Sequence, residues 1–376
     1  MRSSFTVVVL GSYAPSLTNF RGPLIGAMVA RGWRVIAAAP SMDCVTVKRL
    51  HRLGAEPREI GLARTGMNPI TDLGYFRELK TLFAELRPDA TIAYTAKPVI
   101  WGTLAARAAR VPRAVALITG LGFAFTEGAG TPLKRGAARI AASILYRRAL
   151  ARADVVLFQN PDDRDLFSRS KLTRPEADVR VIAGSGIDLD HYRPAPVPAE
   201  PSFLMVARLL GAKGVREYAE AVRILKPRWP QVAFRLAGYI DEGPDAVLPE
   251  ELESWTASGL EFIGRLDDVR PALAAAQVYV LPSWREGTPR SVLEAMSVGR
   301  AIITTDAPGC RETVAHGRNG FLVPVRQPGA LAASMERFLS DPTLAGRMGA
   351  ASLEIARERY DVDIVNAEIM AAVASS

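Results

Sequence analysis

The sequence predicts an α/β protein built from two domains, and three observations carry that prediction. Short, wholly apolar strands recur between helical segments, which is the signature of parallel sheets covered on both faces. A chain of 376 residues is too long for one ordinary core. A proline-rich stretch, Arg193-Pro-Ala-Pro-Val-Pro-Ala-Glu-Pro201, interrupts the middle as a stiff linker, and the strand–helix pattern restarts after it.

In the first half, Phe5–Leu10 is a continuous apolar run ending at Gly11. It is too short for the core of a secretory leader and fits a first strand. A helix over Pro23–Arg31 and a strand over Val35–Ala39 come next, then a helix over Tyr75–Leu86 closed by Pro88. Thr91–Tyr94 (strand), Trp101–Ala109 (helix), Ala114–Ile118 (strand) and Leu133–Ala151 (long helix) continue the alternation. Val155–Phe158 is a strand, Asn160-Pro161-Asp162 a helix start, and Val179–Ile182 the last strand of this half. After the linker come strands at Phe203–Val206, Val232–Ala237, Leu260–Ile263, Val278–Leu281, Ala301–Thr304 and Phe321–Val323. Helices at Val215–Leu225, Val269–Ala276 and Ser291–Met296 lie between them. The expected assembly is two Rossmann-like parallel-sheet domains facing a central cleft, with ligands beyond the carboxyl ends of the strands. The expected domains are 1–192 and 201–358, and a helix over 359–376 returns to the first domain.

Composition is ordinary for a globular protein, with 49% apolar and 23% charged residues. Cys44 and Cys310 are far apart and lack metal-ligand spacing, so neither a disulfide framework nor a metal site is expected. No uncharged apolar run approaches the roughly 18 residues of a membrane span. The net charge of +8 is unevenly placed. Residues 1–190 hold 27 Lys+Arg against 16 Asp+Glu, a net of +11, which leaves 20 against 23, a net of −3, for the rest. Between Ala105 and Arg152 nine basic residues face one acid, Glu127. Such a surface attracts phosphates, nucleic acid or anionic lipid.

The stretch Glu286-Gly-Thr-Pro-Arg-Ser-Val-Leu-Glu294 joins an apolar strand to a helix through a turn. Backbone N–H groups at such a junction point at an anion above the sheet, and Glu294, further into the helix, can reach a hydroxyl of the same ligand. Two glutamates at this spacing are by themselves an ordinary surface pattern. The specific signal is their company. Arg208 and Lys213-Gly214 lie in the loop after the first strand of this half, where two cations can converge on a diphosphate. Gly264-Arg265-Leu266, Asp306-Ala-Pro-Gly309-Cys310-Arg311-Glu312 and Gly317-Arg-Asn-Gly320-Phe-Leu-Val also sit at strand ends, the second as a turn into a helix.

On these residues the chain resembles the retaining glycosyltransferases of GT-B fold grouped as family 4, most of all members that extend polyprenol-diphosphate-linked oligosaccharides. Ile187-Asp188 and Tyr192-Arg-Pro194 resemble the close of the family's first domain. Asn19-Phe-Arg21-Gly22-Pro23 and Thr119-Gly120-Leu121-Gly122 fit the oligosaccharide-extending branch. The resemblance implies a catalytic set of Glu286, Arg208 and Lys213, with Glu286 on the transferred sugar and the two cations on the donor diphosphate. It implies a donor site of Glu294 on the ribose, amides at Thr288, Arg290 or Ser291, and Gly11, Arg265, Gly309 and Cys310. Pro289 has no N–H to offer. The acceptor side would use Asn19, Arg21, Lys97, Thr119 and Gly120.

The implied reaction moves a sugar from a nucleotide diphosphate, by family habit UDP, to a lipid-linked saccharide. It would take place on an anionic membrane surface at the inner face of the plasma membrane. Many relatives carry a histidine in a first-domain loop, where this chain reads Ile118-Thr119-Gly120. His51, His191 and His316 read as surface residues, which fits a reaction in which the leaving phosphate takes the acceptor proton. No metal and no cofactor are expected, and Asp267-Asp268 reads as a helix cap. A soluble acceptor remains the alternative. An NAD-dependent dehydrogenase is disfavoured because Gly11-Ser-Tyr-Ala-Pro-Ser lacks the dinucleotide glycine spacing. A nucleic-acid-binding module is disfavoured because no stacking array accompanies the charge.

Overall fold

The computed structural model describes residues 4–62, 69–120, 132–241 and 245–375. Two compact units are present: Met1–Ser185 with Val362–Ser376, and Gly186–Asp361.

In the first unit the elements run β1 (Thr6–Leu10), α1 (Ala14–Asn19), α2 (Gly22–Ala30), β2 (Arg34–Ala39), α3 (Cys44–Arg52), β3 (Glu56–Glu59) and α4 (Pro69–Leu86). They continue β4 (Ala90–Tyr94), α5 (Thr103–Ala108), β5 (Arg113–Ile118), α6 (Pro132–Leu150), β6 (Val155–Phe158), α7 (Pro161–Arg169) and β7 (Asp178–Val181). The seven strands pair in parallel in the order β3-β2-β1-β4-β5-β6-β7. β1, β4 and β6 are buried along their whole length, which is why they read as unbroken apolar runs. One face packs Tyr75, Phe83, Tyr146 and Phe167; the other packs Ile25, Met28 and Ile369.

Some elements differ from their sequence signals. β3 reads Glu-Pro-Arg-Glu and has no apolar residue to announce it. It is an edge strand, where proline is tolerated, and Arg34 on β2 makes a two-pronged bond to Glu56 at 2.8 Å on both prongs. The expected helix at Trp101 is preceded by a π-helical turn, Pro98–Gly102. α7 starts as expected, with the Asn160 side chain accepting from the N–H of Asp163. Leu121, Gly122 and Glu127 lie outside the described residues, as do the side chains of Lys134 and Arg135.

In the second unit the elements run β8 (Ser202–Val206), α8 (Val215–Leu225), β9 (Ala233–Ala237), α9 (Pro249–Ala257), β10 (Glu261–Phe262), α10 (Arg270–Ala274) and β11 (Val278–Leu281). Then come α11 (Arg290–Ser297), β12 (Ala301–Thr305), β13 (Gly320–Val323), α12 (Pro328–Ser340) and α13 (Leu344–Arg359). The sheet is parallel in the order β10-β9-β8-β11-β12-β13. The turn at Asp306 does not lead into a full helix: only a 3-10 turn, Arg311–Thr313, forms there.

The proline-rich stretch is no free linker, and residues 186–201 belong to the second unit. The buried guanidinium of Arg300 donates to the carbonyls of Ala195, Pro196, Val298 and Ala276. The Gln277 amide donates to those of Pro198 and Ala199. Prolines lack N–H groups but keep their carbonyls, so this segment is held chiefly through acceptors, with the Ala195 N–H adding a bond to the Val298 carbonyl at 3.2 Å. The last helix, α14 (Val362–Ala374), packs on α2, β4 and β5 of the first unit.

Candidate active site

In the second unit the strand-end loops bring Lys213 and Glu286 together. The Lys213 ammonium lies 2.5 Å from Glu286 Oε1, and the Ser283 hydroxyl donates to the same oxygen at 2.8 Å. The Glu286 N–H is tied to the Pro308 carbonyl at 2.9 Å. Gly309 closes the floor. Its φ is +80°, and a Cβ there would stand 2.1 Å from the Glu286 carbonyl oxygen, so only glycine fits.

Eight residues on, Glu294 is largely enclosed. Its Oε1 accepts from the Tyr192 hydroxyl at 2.8 Å and from Arg290 Nε at 3.1 Å. Burial pushes the Glu294 pKa up, and the Arg290 charge and the Tyr192 hydrogen bond offset part of that rise. Ser291 is hydrogen-bonded to the buried Tyr279 hydroxyl, which itself donates to the Val206 carbonyl. Arg290 and Ser291 form the first turn of α11, and Pro289 precedes it at the N-cap.

Arg208 and Lys213 are not paired with one common partner. Arg208 binds Asp241 at 2.6 Å, while Lys213 binds Glu286. Arg265 is exposed and stands over the Tyr239 ring, 5.6 Å from its centroid. Thr288 is half-buried in the loop before α11. Cys310 departs from its expected place among the donor contacts. Its side chain is fully buried and its N–H is bonded to the Ala307 carbonyl. Burial, with the Glu286 charge adding to it, pushes its thiol up to about 12. Cys310 therefore packs beneath the loop.

The first unit gathers residues at the ends of β1 and β4. A Cβ on Gly11 would meet the Tyr94 hydroxyl at 2.4 Å, so the close approach of that ring explains the glycine. The Tyr94 hydroxyl shares a 2.7 Å hydrogen bond with Ser16, and burial pushes its pKa up to about 12. Arg21 is buried with its guanidinium 5.1 Å from the centre of the Tyr94 ring. Lys97 is bound to Asp72 at 2.8 Å with both side chains mostly covered. Asn19 is exposed and accepts from Arg49 at 3.3 Å. Thr119 and Gly120 follow β5, half-buried.

Thr95 directly follows β4 with φ +68°, a costly conformation for a β-branched residue. Its hydroxyl donates to Ser12 at 2.8 Å. Sequence reasoning gave no site role to Tyr94, Thr95, Ser16, Tyr192, Asp241 or Ser283. Tyr94 and Ser283 stand at the ends of apolar runs, a signal that could have been followed; nothing in the sequence marks the φ of Thr95.

Of the three histidines, His191 stands beside the Glu294 group: its ring centroid lies 5.0 Å from that of Tyr192, and its charge offsets part of the rise in the Glu294 pKa. The His316 ring accepts from the Leu322 N–H at 3.1 Å, a structural bond, and His51 and His191 are exposed. Asp268 is bound by Arg270 through both main chain and side chain, which holds its carboxyl down at about 2. Among the described residues no group of three or more His, Cys, Asp or Glu is placed to hold a metal ion.

Two family models match this chain. The glycosyl transferase 4-like domain matches residues 21–184, and the glycosyl transferases group 1 model matches residues 200–341. The chain belongs to the family 4 glycosyltransferases of GT-B fold. This glycosyltransferase is similar to the N,N'-diacetylbacillosaminyl-diphospho-undecaprenol α-1,3-N-acetylgalactosaminyltransferase of Campylobacter jejuni. The two are 29% identical over 365 residues, covering 93% of each. Sucrose-phosphate synthase from Thermosynechococcus elongatus has the same fold, with TM-score 0.80, 19% identity and 97% of each chain covered. So does the Anabaena protein HepE in complex with UDP-glucose, with TM-score 0.77 and 22% identity over 97% of this chain and 98% of that one.

Proposed function

We propose that this glycosyltransferase moves a sugar from a UDP-linked donor to a polyprenol-diphosphate-linked saccharide, with retention at the anomeric carbon and without a divalent metal. The observation that carries the reading is the pair of anchored carboxylates, Glu286 on Lys213 and Glu294 on Tyr192 and Arg290, eight residues apart after β11. Glu294, held at a single oxygen, keeps the other for ribose hydroxyls. Lys213 and Arg208 neutralise the departing diphosphate, the work a metal would otherwise do. Glu286 then faces the transferred sugar. Thr288, Arg290 and Ser291 supply main-chain contacts to the phosphates, and Gly309 and Arg265 line the donor site. Gly11, in the loop after β1, is a further donor candidate. The leaving phosphate accepts the proton of the acceptor hydroxyl.

The relative from Campylobacter carries a lipid diphosphate in its name, which favours the same acceptor class here. Asn19, Arg21, Thr119 and Gly120 are the acceptor candidates. Lys97 is the weakest of that set, since its charge is already met by Asp72. On α6, Ile140 and Ile144 are exposed one turn apart beside exposed Arg139, Arg147 and Arg148. That face suits shallow contact with an anionic membrane at the inner leaflet, adding apolar insertion to electrostatic adsorption. No described helix is long and apolar enough to cross a membrane.

The test is transfer to a synthetic prenyl-diphosphate saccharide, after a thermal-shift panel of nucleotide sugars selects the donor. Activity should persist in EDTA; full loss restored by Mg²⁺ would overturn the metal-free reading. Equal activity with the saccharide lacking its diphosphate-prenyl group would favour a soluble acceptor. Flotation with anionic vesicles should exceed that with neutral ones.

A further inference from the structure

Trp284 joins three strand ends of the second unit. It follows β11, two residues before Glu286. Its main-chain N–H donates to the Ala212 carbonyl at 2.9 Å, next to Lys213. Its ring N–H donates to Glu217 Oε1 at 2.9 Å, in the first turn of α8. Its indole face carries the Arg326 guanidinium, 3.9 Å from the ring centre, from the segment after β13. Arg326 holds φ at +59°, a conformation a non-glycine residue keeps only when its surroundings enforce it. Glu217 is buried, and its Oε2 has no hydrogen-bond partner among the described residues. An acid kept in that position against its desolvation cost needs a compensating role.

We propose that Glu217, Trp284 and Arg326 are positioning residues that hold the Lys213 loop and the Glu286 loop in register for sugar transfer. None of the three need touch the donor. Lys213 and Glu286 come from separate loops, and their 2.5 Å contact depends on the spacing of those loops. The loops are tied by the main-chain Trp284–Ala212 bond, beside a longer link from the Ser283 hydroxyl to the Lys213 carbonyl at 3.5 Å, and Glu217 with Arg326 fixes the orientation of the indole. A displacement of about 1 Å at reacting groups is enough to cost on the order of a hundredfold in rate. The inference rests on the proposed donor site, and its first readout needs no substrate.

That readout is acylation of Lys213 in the full chain, followed by mass spectrometry. An ammonium clasped by a carboxylate is shielded from acylation. Glu217→Leu and Trp284→Phe should raise the Lys213 labelling rate about fivefold, the effect of one lost hydrogen bond. Lys226, bonded to the Val232 carbonyl, should be unchanged and so reports global unfolding. Glu217→Gln keeps an acceptor for the indole N–H and should label like wild type. In the transfer assay, Glu217→Leu should lower kcat about tenfold or more with UDP affinity within about twofold, and Glu217→Gln should restore kcat. Unchanged Lys213 labelling in both disruptive variants would overturn the proposal, as would Lys213 and Lys226 rising together. Failure of the wild-type chain to bind any nucleotide would instead remove the proposed function and leave the labelling result standing.

Discussion

The Tyr192 hydroxyl donates to Glu294 Oε1 at 2.8 Å, joining the residue just before the proline-rich segment to the first turns of α11. This bond reaches across 102 positions of sequence and sets the rotamer of the carboxylate proposed to read ribose. Tyr192→Phe should therefore weaken UDP binding several-fold with little change in kcat, measured by calorimetry and steady-state kinetics. Unchanged affinity would mean that Arg290 alone suffices to orient Glu294.

Burial raises the Glu294 pKa, so the folded chain holds this proton more tightly than the unfolded chain does. Folding stability from this group is complete below the ordinary carboxylate range and is lost as pH rises through the raised value. Glu294→Gln removes that loss. Its Tm should match wild type in acid and exceed it near neutrality, while UDP affinity falls. Nucleotide binding by wild type should weaken as pH drops through the same window, since a protonated carboxyl accepts poorly from hydroxyls. Parallel Tm curves for the two proteins would contradict this account.

Lys213 and Glu286 form a close pair in which either charge alone would be partly buried. Lys213→Ala should lower kcat more than tenfold and leave UDP affinity nearer wild type, about 1.4 kcal/mol or more of transition-state stabilisation. Glu286→Gln should also reduce rate more than nucleotide affinity. If Glu286→Gln and Glu294→Gln both transferred sugar at the wild-type rate, the site assignment would be wrong.

Arg208 is held by Asp241 in a half-exposed pair worth about 1 kcal/mol or less. A donor diphosphate must compete with Asp241 for that guanidinium. Asp241→Asn is expected to tighten UDP binding by up to about fivefold, most clearly at low salt. Weaker binding would show that Asp241 aims Arg208 and does not compete.

Among the described residues Arg300 has no carboxylate partner and satisfies carbonyls instead, with burial lowering its pKa to about 10. Arg300→Met should destabilise the second unit by about 3 kcal/mol or more, because several buried carbonyls lose their donor. Urea unfolding would read this. UDP affinity of the folded fraction should stay close to wild type.

The alternation of apolar strands and helices, and with it the two parallel sheets, was legible because strands buried on both faces must be apolar throughout. β3 was not legible. An edge strand buries little, and Glu56-Pro-Arg-Glu59 is held by its neighbour β2 and by Arg34. Glu286, Glu294, Arg208 and Lys213 could be singled out because loops at strand ends carry chemistry whatever their exact path. Their pairing could not. Arg208 and Lys213 lie five residues apart but take different carboxylates, since each loop's backbone sets which acid it meets. Cys310 was misplaced for a related reason: nothing in a turn's sequence tells which side chain points beneath it.

Local sequence determined the periodicity, the strand-end loops and the residue types placed there, because those depend on neighbours a few positions away. Only tertiary structure decided that Tyr192 holds Glu294, that Arg300 fastens the proline-rich segment, and that Trp284 links three loops. Those contacts join residues about 40 to more than 100 positions apart. Their geometry is set by how the sheet brings strand ends together, which no local pattern encodes.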